Sequence, residues 1–181
     1  SLNLRYPPHF IQVSTSKEAF EMLEFEQIDL VINMLSVSDM DPFELSTRIK
    51  ADHQEVPIVI LAPHSREITK SLESNDLSSV DYVFSWLGHS EILLAIVKLI
   101  EDRINVEYDV NEVGVQTIIL VEDNVRFYSS YLATIYKIIF TQSKSFMAEG
   151  LNEHQKMMRM RGRPKILLAN TYEEAMELYQ N

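Results

Sequence analysis

Glu122 and Asp123 stand side by side at the end of the apolar run 117–121. Two carboxylates at the carboxyl end of a strand are placed to hold a hard cation such as Mg²⁺ through oxygen. The same pair would equally cap a following helix, and a divalent hard ion wants about six oxygens, so Glu122 and Asp123 alone predict weak Mg²⁺ binding at best. The five histidines, His9, His53, His64, His89 and His154, show no paired spacing on one face, and no histidine metal site is expected. Lys156, Arg159, Arg161, Arg163 and Lys165 form the one basic cluster. It reads as a solvated connecting face, with contact to an acidic partner or a phosphate as the alternative. Met147, Met157, Met158 and Met160 read as an adaptable packing surface.

Other chemistries are excluded by what is missing. Zero Cys removes disulfides, thiolate zinc sites, iron–sulfur clusters and thiol nucleophiles, and suits a cytoplasmic chain. The four glycines, Gly88, Gly114, Gly150 and Gly162, are never closer than 12 residues, so neither phosphate-cradling loop nor a nucleophile elbow can be built. Sixteen Lys and Arg against 27 Asp and Glu give a net charge of −11, which disfavours nucleic acid and anionic membranes. The longest apolar stretch, 92–100, is less than half of the roughly 20 residues a membrane span needs, and no signal-peptide pattern opens the sequence. At 46% apolar and 24% charged, the 181 residues have an ordinary globular composition.

Short β-branched runs alternate with amphipathic patterns. Residues 10–13 read as a strand, and Thr15-x-x-Glu18 opens a helix as a capping box. Residues 28–35, 56–61 and 80–84 read as further strands, with helices near 42–50, 67–72 and 90–103 between and after them. The stripe of the 90–103 helix is too wide for one core contact. Residues 104–116 read as a linker, 117–121 as a strand before a long helix, 141–163 as an insertion, and 165–168 as a last strand. Thr171-x-x-Glu174-Ala175-x-Glu177 repeats Thr15-x-x-Glu18-Ala19-x-Glu21, marking an internal strand–cap–helix repeat. Apolar strands separated by helices predict a doubly wound α/β fold around a parallel sheet.

These residues resemble the response-regulator receiver family, whose sheet has five parallel strands. Asp29-Leu30-Val31-Ile32 through Asp39-Met40-Asp41-Pro42-Phe43-Glu44-Leu45 is similar to its third strand and following loop. Val56-Pro57-Ile58-Val59-Ile60-Leu61 resembles its fourth strand, and Asp81-Tyr82-Val83-Phe84 its fifth. Residues 117–124 look like the opening of a second copy, with Glu122-Asp123 matching the acidic pair. The resemblance implies a degenerate receiver-like domain over 1–103 without an evident first strand, and the start of a second over 117–181. More narrowly, QTIILVEDNVRFYSSYLATIY, RMRGRPKILLANTYEEAMELY and LLAIVKLIEDRINVEYD resemble the receiver-type regulatory region of some bacterial phosphoenolpyruvate synthase or pyruvate phosphate dikinase-like proteins.

Receiver chemistry implies a carboxylate at the third strand's end that accepts a phosphoryl group, Mg²⁺ beside it, a Thr or Ser on the fourth strand and a Lys on the fifth. A gapless alignment puts Met34, Ala62 and Ser85, the last followed by Trp86, at those places. A thioether accepts no phosphoryl group and a methyl group cannot hydrogen-bond one, so no catalytic residue is expected. Asp39 and Asp41 are expected to face solvent, a surrogate acceptor being the alternative, and Trp86 and Tyr82 to pack near the old site's rim. The expected function is therefore a non-catalytic pseudo-receiver that binds protein partners or neighbouring domains of a bacterial signalling or enzyme chain. The competing readings are a competent phosphoacceptor and a structural dimerisation element built on the 90–103 helix. Because the first copy lacks a first strand, residues 117–121 are expected to insert beside the 28–35 strand, giving a permuted or strand-swapped five-stranded sheet with Glu122-Asp123 near Met34, and a homodimer.

Overall fold

In the computed structural model, residues 8–35, 39–63, 72, 74–146 and 162–180 are described. The chain divides into two compact units, Pro8–Gly88 and a second one from His89 on.

The first unit holds α1 (Ser16–Phe25), β1 (Val31–Met34), α2 (Pro42–Asp52), β2 (Ile58–Pro63) and β3 (Tyr82–Trp86). Its sheet has the order β1-β2-β3, parallel throughout. α1 starts where the sequence dictates: the Thr15 hydroxyl accepts from the Glu18 N–H, and the Glu18 carboxylate accepts from the Thr15 and Ser14 N–H groups. α2 starts on Asp41 with Pro42 at its first position, where a missing N–H costs nothing. Leu23, Leu45, Ile49 and Ile58 form a buried cluster joining both helices to the sheet, with Phe20, Ile28, Val31 and Met40 against it. Asp81 ties the far end of α2 to the sheet, accepting from Lys50 Nζ at 3.0 Å and from the Ile58 N–H at 2.9 Å.

Residues 10–13 form no strand, and Phe10 is 60% exposed. The reason is pairing. Among the described residues no strand pairs with this segment, so its backbone groups join no ladder. The expected helix near 67–72 falls almost wholly outside the described residues.

The second unit holds α3 (Glu91–Tyr108), β4 (Thr117–Val121), α4 (Val125–Phe146), β5 (Lys165–Ala169) and α5 (Tyr172–Gln180). A π-helical turn, Asp109–Val113, prolongs α3 and ends at Gly114, whose φ of +73° is one that L side chains rarely adopt. Residues 104–113 are thus helical, and the helix begun at Glu91 belongs to the second unit. β4 and β5 pair in parallel from Thr117↔Lys165 to Val121↔Ala169. α3 packs on β5 and α4, α5 packs on β4 and β5, and α4 turns Tyr128, Leu132 and Tyr136 inward at a spacing of four. The wide stripe of α3 is explained here: Ile92, Ala95, Ile96, Leu99 and Ile100 are all buried, facing more than one neighbour within the unit.

The fold is therefore α/β, but the five-stranded sheet is not formed. β4 pairs with β5 and not with β1, so the expected insertion beside the 28–35 strand, and with it the permuted sheet, does not occur within the chain. β5 offers β4 five residues in register and, being nearer in sequence than β1, the shorter closure. The internal repeat does stand at its second half: the Thr171 hydroxyl accepts from the Glu174 N–H, and Glu174 accepts from the Asn170 N–H, copying the cap of α1.

Candidate functional site

The register of the first sheet brings the three implied phosphoryl positions to one end. Met34 lies opposite Leu61, and Ala62 opposite Ser85, at the carboxyl ends of neighbouring parallel strands. This is where open α/β sheets bind ligands. Met34 is 47% exposed, whereas Ala62 and Ser85 are buried. Tyr82 and Trp86 are half-buried, and the Tyr82 ring meets Phe84 edge-on at 6.5 Å. Asn33 turns its amide into the unit, donating to the Pro42 carbonyl at 2.9 Å and the Ser46 hydroxyl at 3.4 Å, while its Oδ1 meets no hydrogen-bond partner among the described residues. Residues 36–38 and 64–71, which follow β1 and β2 in sequence, lie outside the described residues.

The nearby carboxylates are committed elsewhere. Asp39 accepts from the Ser16 N–H at 3.0 Å and from the Ser16 hydroxyl at 2.7 Å, anchoring the first turn of α1. The Ser16 hydroxyl and N–H together hold the Asp39 carboxyl below the usual carboxylate range. Asp41 Oδ1 accepts from the Phe43 and Glu44 N–H groups as the N-cap of α2. Both are exposed, but their hydrogen bonds serve helix starts.

Glu122 is half-buried and Asp123 exposed at the end of β4. Glu122 Oε1 accepts from the Asn124 N–H at 3.1 Å, and Asn124, not the acidic pair, caps α4 by accepting from Arg126 and Phe127. Among the described residues no group of three His, Cys, Asp or Glu side chains could hold a metal ion. The residues present do not fit a tight Mg²⁺ site. A magnesium titration followed by NMR should show changes at Glu122 and Asp123 only in the millimolar range; micromolar saturation would contradict this geometry.

Sequence reasoning missed a buried ionic network in the second unit. Arg163 grips Asp102 with both ends of its guanidinium, Nη2 to Oδ1 at 2.6 Å and Nη1 to Oδ2 at 2.9 Å. Asp102 Oδ2 also accepts from the Tyr136 hydroxyl at 2.9 Å and from the Ile166 N–H at 3.0 Å. Lys165 Nζ lies 2.7 Å from Asp109 and 3.9 Å from Asp102. Lys98 pairs with Glu101 one turn away and lies 5.4 Å from the centre of the Phe140 ring, which Arg163 also faces at 5.6 Å. Arg163 and Lys165, expected on a solvated basic face, are 4% and 2% exposed. Lys156, Arg159 and Arg161, the four clustered methionines, His64 and His154 lie outside the described residues. The signal was present as two matching spacings: Arg163 and Lys165 two apart where β5 begins, and Asp102 and Asp109 seven apart along the helix. Three acids meet three bases, and Asp102 accepts four hydrogen bonds, which makes this a structural network that ties α3 to β5.

The chain matches no known protein-family model, and a search of curated proteins finds no match. No helix among the described residues is long and apolar enough to cross a membrane.

Proposed function

We propose that the chain is a non-catalytic, receiver-like regulatory module that works by binding protein partners or neighbouring domains in the bacterial cytoplasm. One observation carries the reading. The carboxyl end of the β1-β2-β3 sheet gathers Met34, Ala62 and Ser85 where phosphoryl chemistry would need an acceptor carboxylate, a hydroxyl and a lysine. The two carboxylates that follow β1, Asp39 and Asp41, are spent on helix starts. The resemblance to regulatory regions of phosphoenolpyruvate synthase or pyruvate phosphate dikinase-like proteins fits such a module as the regulatory arm of a larger enzyme, which would keep the chemistry to itself. The rival reading, a structural dimerisation element, would draw on the 90–103 helix; in α3 Ile92, Ala95, Ile96, Leu99 and Ile100 are buried and Leu94 and Ile104 exposed.

Acetyl phosphate with Mg²⁺ is expected to leave the intact mass unchanged. A stable adduct of one phosphoryl group on any residue from 10 to 103 would restore the phosphoacceptor reading and end this one.

A further inference from the structure

The two edges of the second sheet differ. Residues of a parallel strand alternate in the neighbour they bond. The Lys165 N–H donates to the Gln116 carbonyl and the Glu122 N–H to the Ala169 carbonyl, so the even residues of β4 face β5, and Thr117, Ile119 and Val121 turn their backbone groups to the other side. By the same alternation the Ile166 N–H leaves the outer side of β5, and there Asp102 accepts it at 3.0 Å. Among the described residues no strand pairs with the outer side of β4. That side lacks the features that usually protect a strand edge: Thr-Ile-Ile-Leu-Val holds no charge and no Pro, and Ile118 and Val121 are 43% and 54% exposed. The outward N–H and C=O groups of Thr117, Ile119 and Val121 call for partners.

One segment of the chain fits that edge. Ser1–Pro7 lie outside the described residues, yet they group with the second unit and not with Pro8–Gly88, which follow them directly. Leu2, Leu4 and Tyr6 alternate with Asn3 and Arg5, the period of two that a half-buried strand requires, and Pro7-Pro8 end the pattern. Residues 2–6 also match the five residues of β4 in length. Charge agrees, since Arg5 is the segment's one ion and the acidic Glu122 and Asp123 directly follow β4. We infer that residues 2–6 add to the outer edge of β4 as a third strand, with β4 in the middle of the completed sheet. Main-chain hydrogen bonds hold such an added strand, and its alternate side chains supply the fit. Being part of the same molecule, the segment meets the edge at a higher effective concentration than a separate chain does.

Amide hydrogen exchange followed by NMR on the full chain reads the two sides of β4 separately. The N–H groups of Ile118 and Leu120 point to β5 and report its ladder, whereas those of Ile119 and Val121 point to the outer edge. All four should exchange slowly in the full chain. Deleting residues 1–7 should speed Ile119 and Val121 roughly tenfold or more, while Ile118 and Leu120 stay slow and show that the unit is still folded. Two proline variants serve if the deletion unfolds. Adjacent residues of a strand turn their N–H groups to opposite sides, so at least one of Leu4→Pro and Arg5→Pro should free Ile119 and Val121. Fast exchange of Ile119 and Val121 in the full chain would mean an open edge. Protection that survives the deletion and both prolines, or that grows with protein concentration, would mean another occupant. Each of these results overturns the inference. None of them bears on phosphorylation, so the functional reading stands or falls separately on the acetyl phosphate test.

Discussion

Asp102→Ala should lower the unfolding free energy by about 3–5 kcal/mol, the loss typical of removing one partner from a buried ion pair. Asp102 is fully buried and holds four donors: two from Arg163, just before β5, the Tyr136 hydroxyl from α4 and the Ile166 N–H of β5. Truncation leaves the Arg163 guanidinium, 4% exposed, with the Pro164 carbonyl at 3.1 Å as its nearest remaining acceptor in this cluster. Lys165 keeps Asp109, so the damage centres on Arg163 and Tyr136. Asp102→Asn keeps the shape and should cost less. Replacing both partners, Asp102→Leu with Arg163→Met, should recover part of the loss, since apolar groups of similar volume often match a buried pair. Urea unfolding followed by circular dichroism decides it. A loss below about 1 kcal/mol for Asp102→Ala would mean that the network does not hold α3 to β5.

What the sequence made legible was local. Both capping boxes close within four residues, so Thr15/Glu18 and Thr171/Glu174 announce helix starts without reference to anything distant. Strands 117–121 and 165–168 were legible from apolar runs bounded by polar residues, the second ending one residue short of Ala169, and 56–61 and 80–84 were displaced only by two residues toward their carboxyl ends. Apart from the linker expected over 104–116, which is helical through Val113, the failures were about partners. Residues 10–13 have a strand's composition and no strand to join. β4 found β5, where the expected sheet assigned it to β1. Arg163 and Lys165 look like surface charge until Asp102 and Asp109, more than fifty residues earlier, are set beside them; the Arg163–Asp102 separation is 61 residues. Periodicity reports which side of an element is apolar, but not which element will cover it. At the candidate site the residue identities were readable, because Met34, Ala62 and Ser85 follow from strand alignment. The commitment of Asp39 to Ser16, 23 residues away, was not.

Alkali should unfold the protein through Tyr136. Its phenol is buried and donates to Asp102; burial first, then the Asp102 charge and the hydrogen bond to it, push its pKa far above that of an ordinary tyrosine. A raised folded-state pKa means that the stability involved is complete below the unfolded value, near pH 10, and is lost as pH climbs toward the folded one. In the unfolded chain Tyr136 ionises freely, whereas in the folded chain it keeps its proton beside a carboxylate. Above pH 10 each further unit therefore removes about 1.4 kcal/mol, and at pH 11.5 the protein should be roughly 2 kcal/mol less stable than at pH 9 from this group alone. Tyr136→Phe should cost about 1 kcal/mol at neutral pH, because Asp102 keeps Arg163 and Ile166, and should flatten the alkaline decline. The buried Lys98 and Lys165 are common to both proteins, so the gap between their urea midpoints across pH 8–12 isolates Tyr136. If the Phe variant declines as steeply as the parent, the phenol is not the group that alkali attacks.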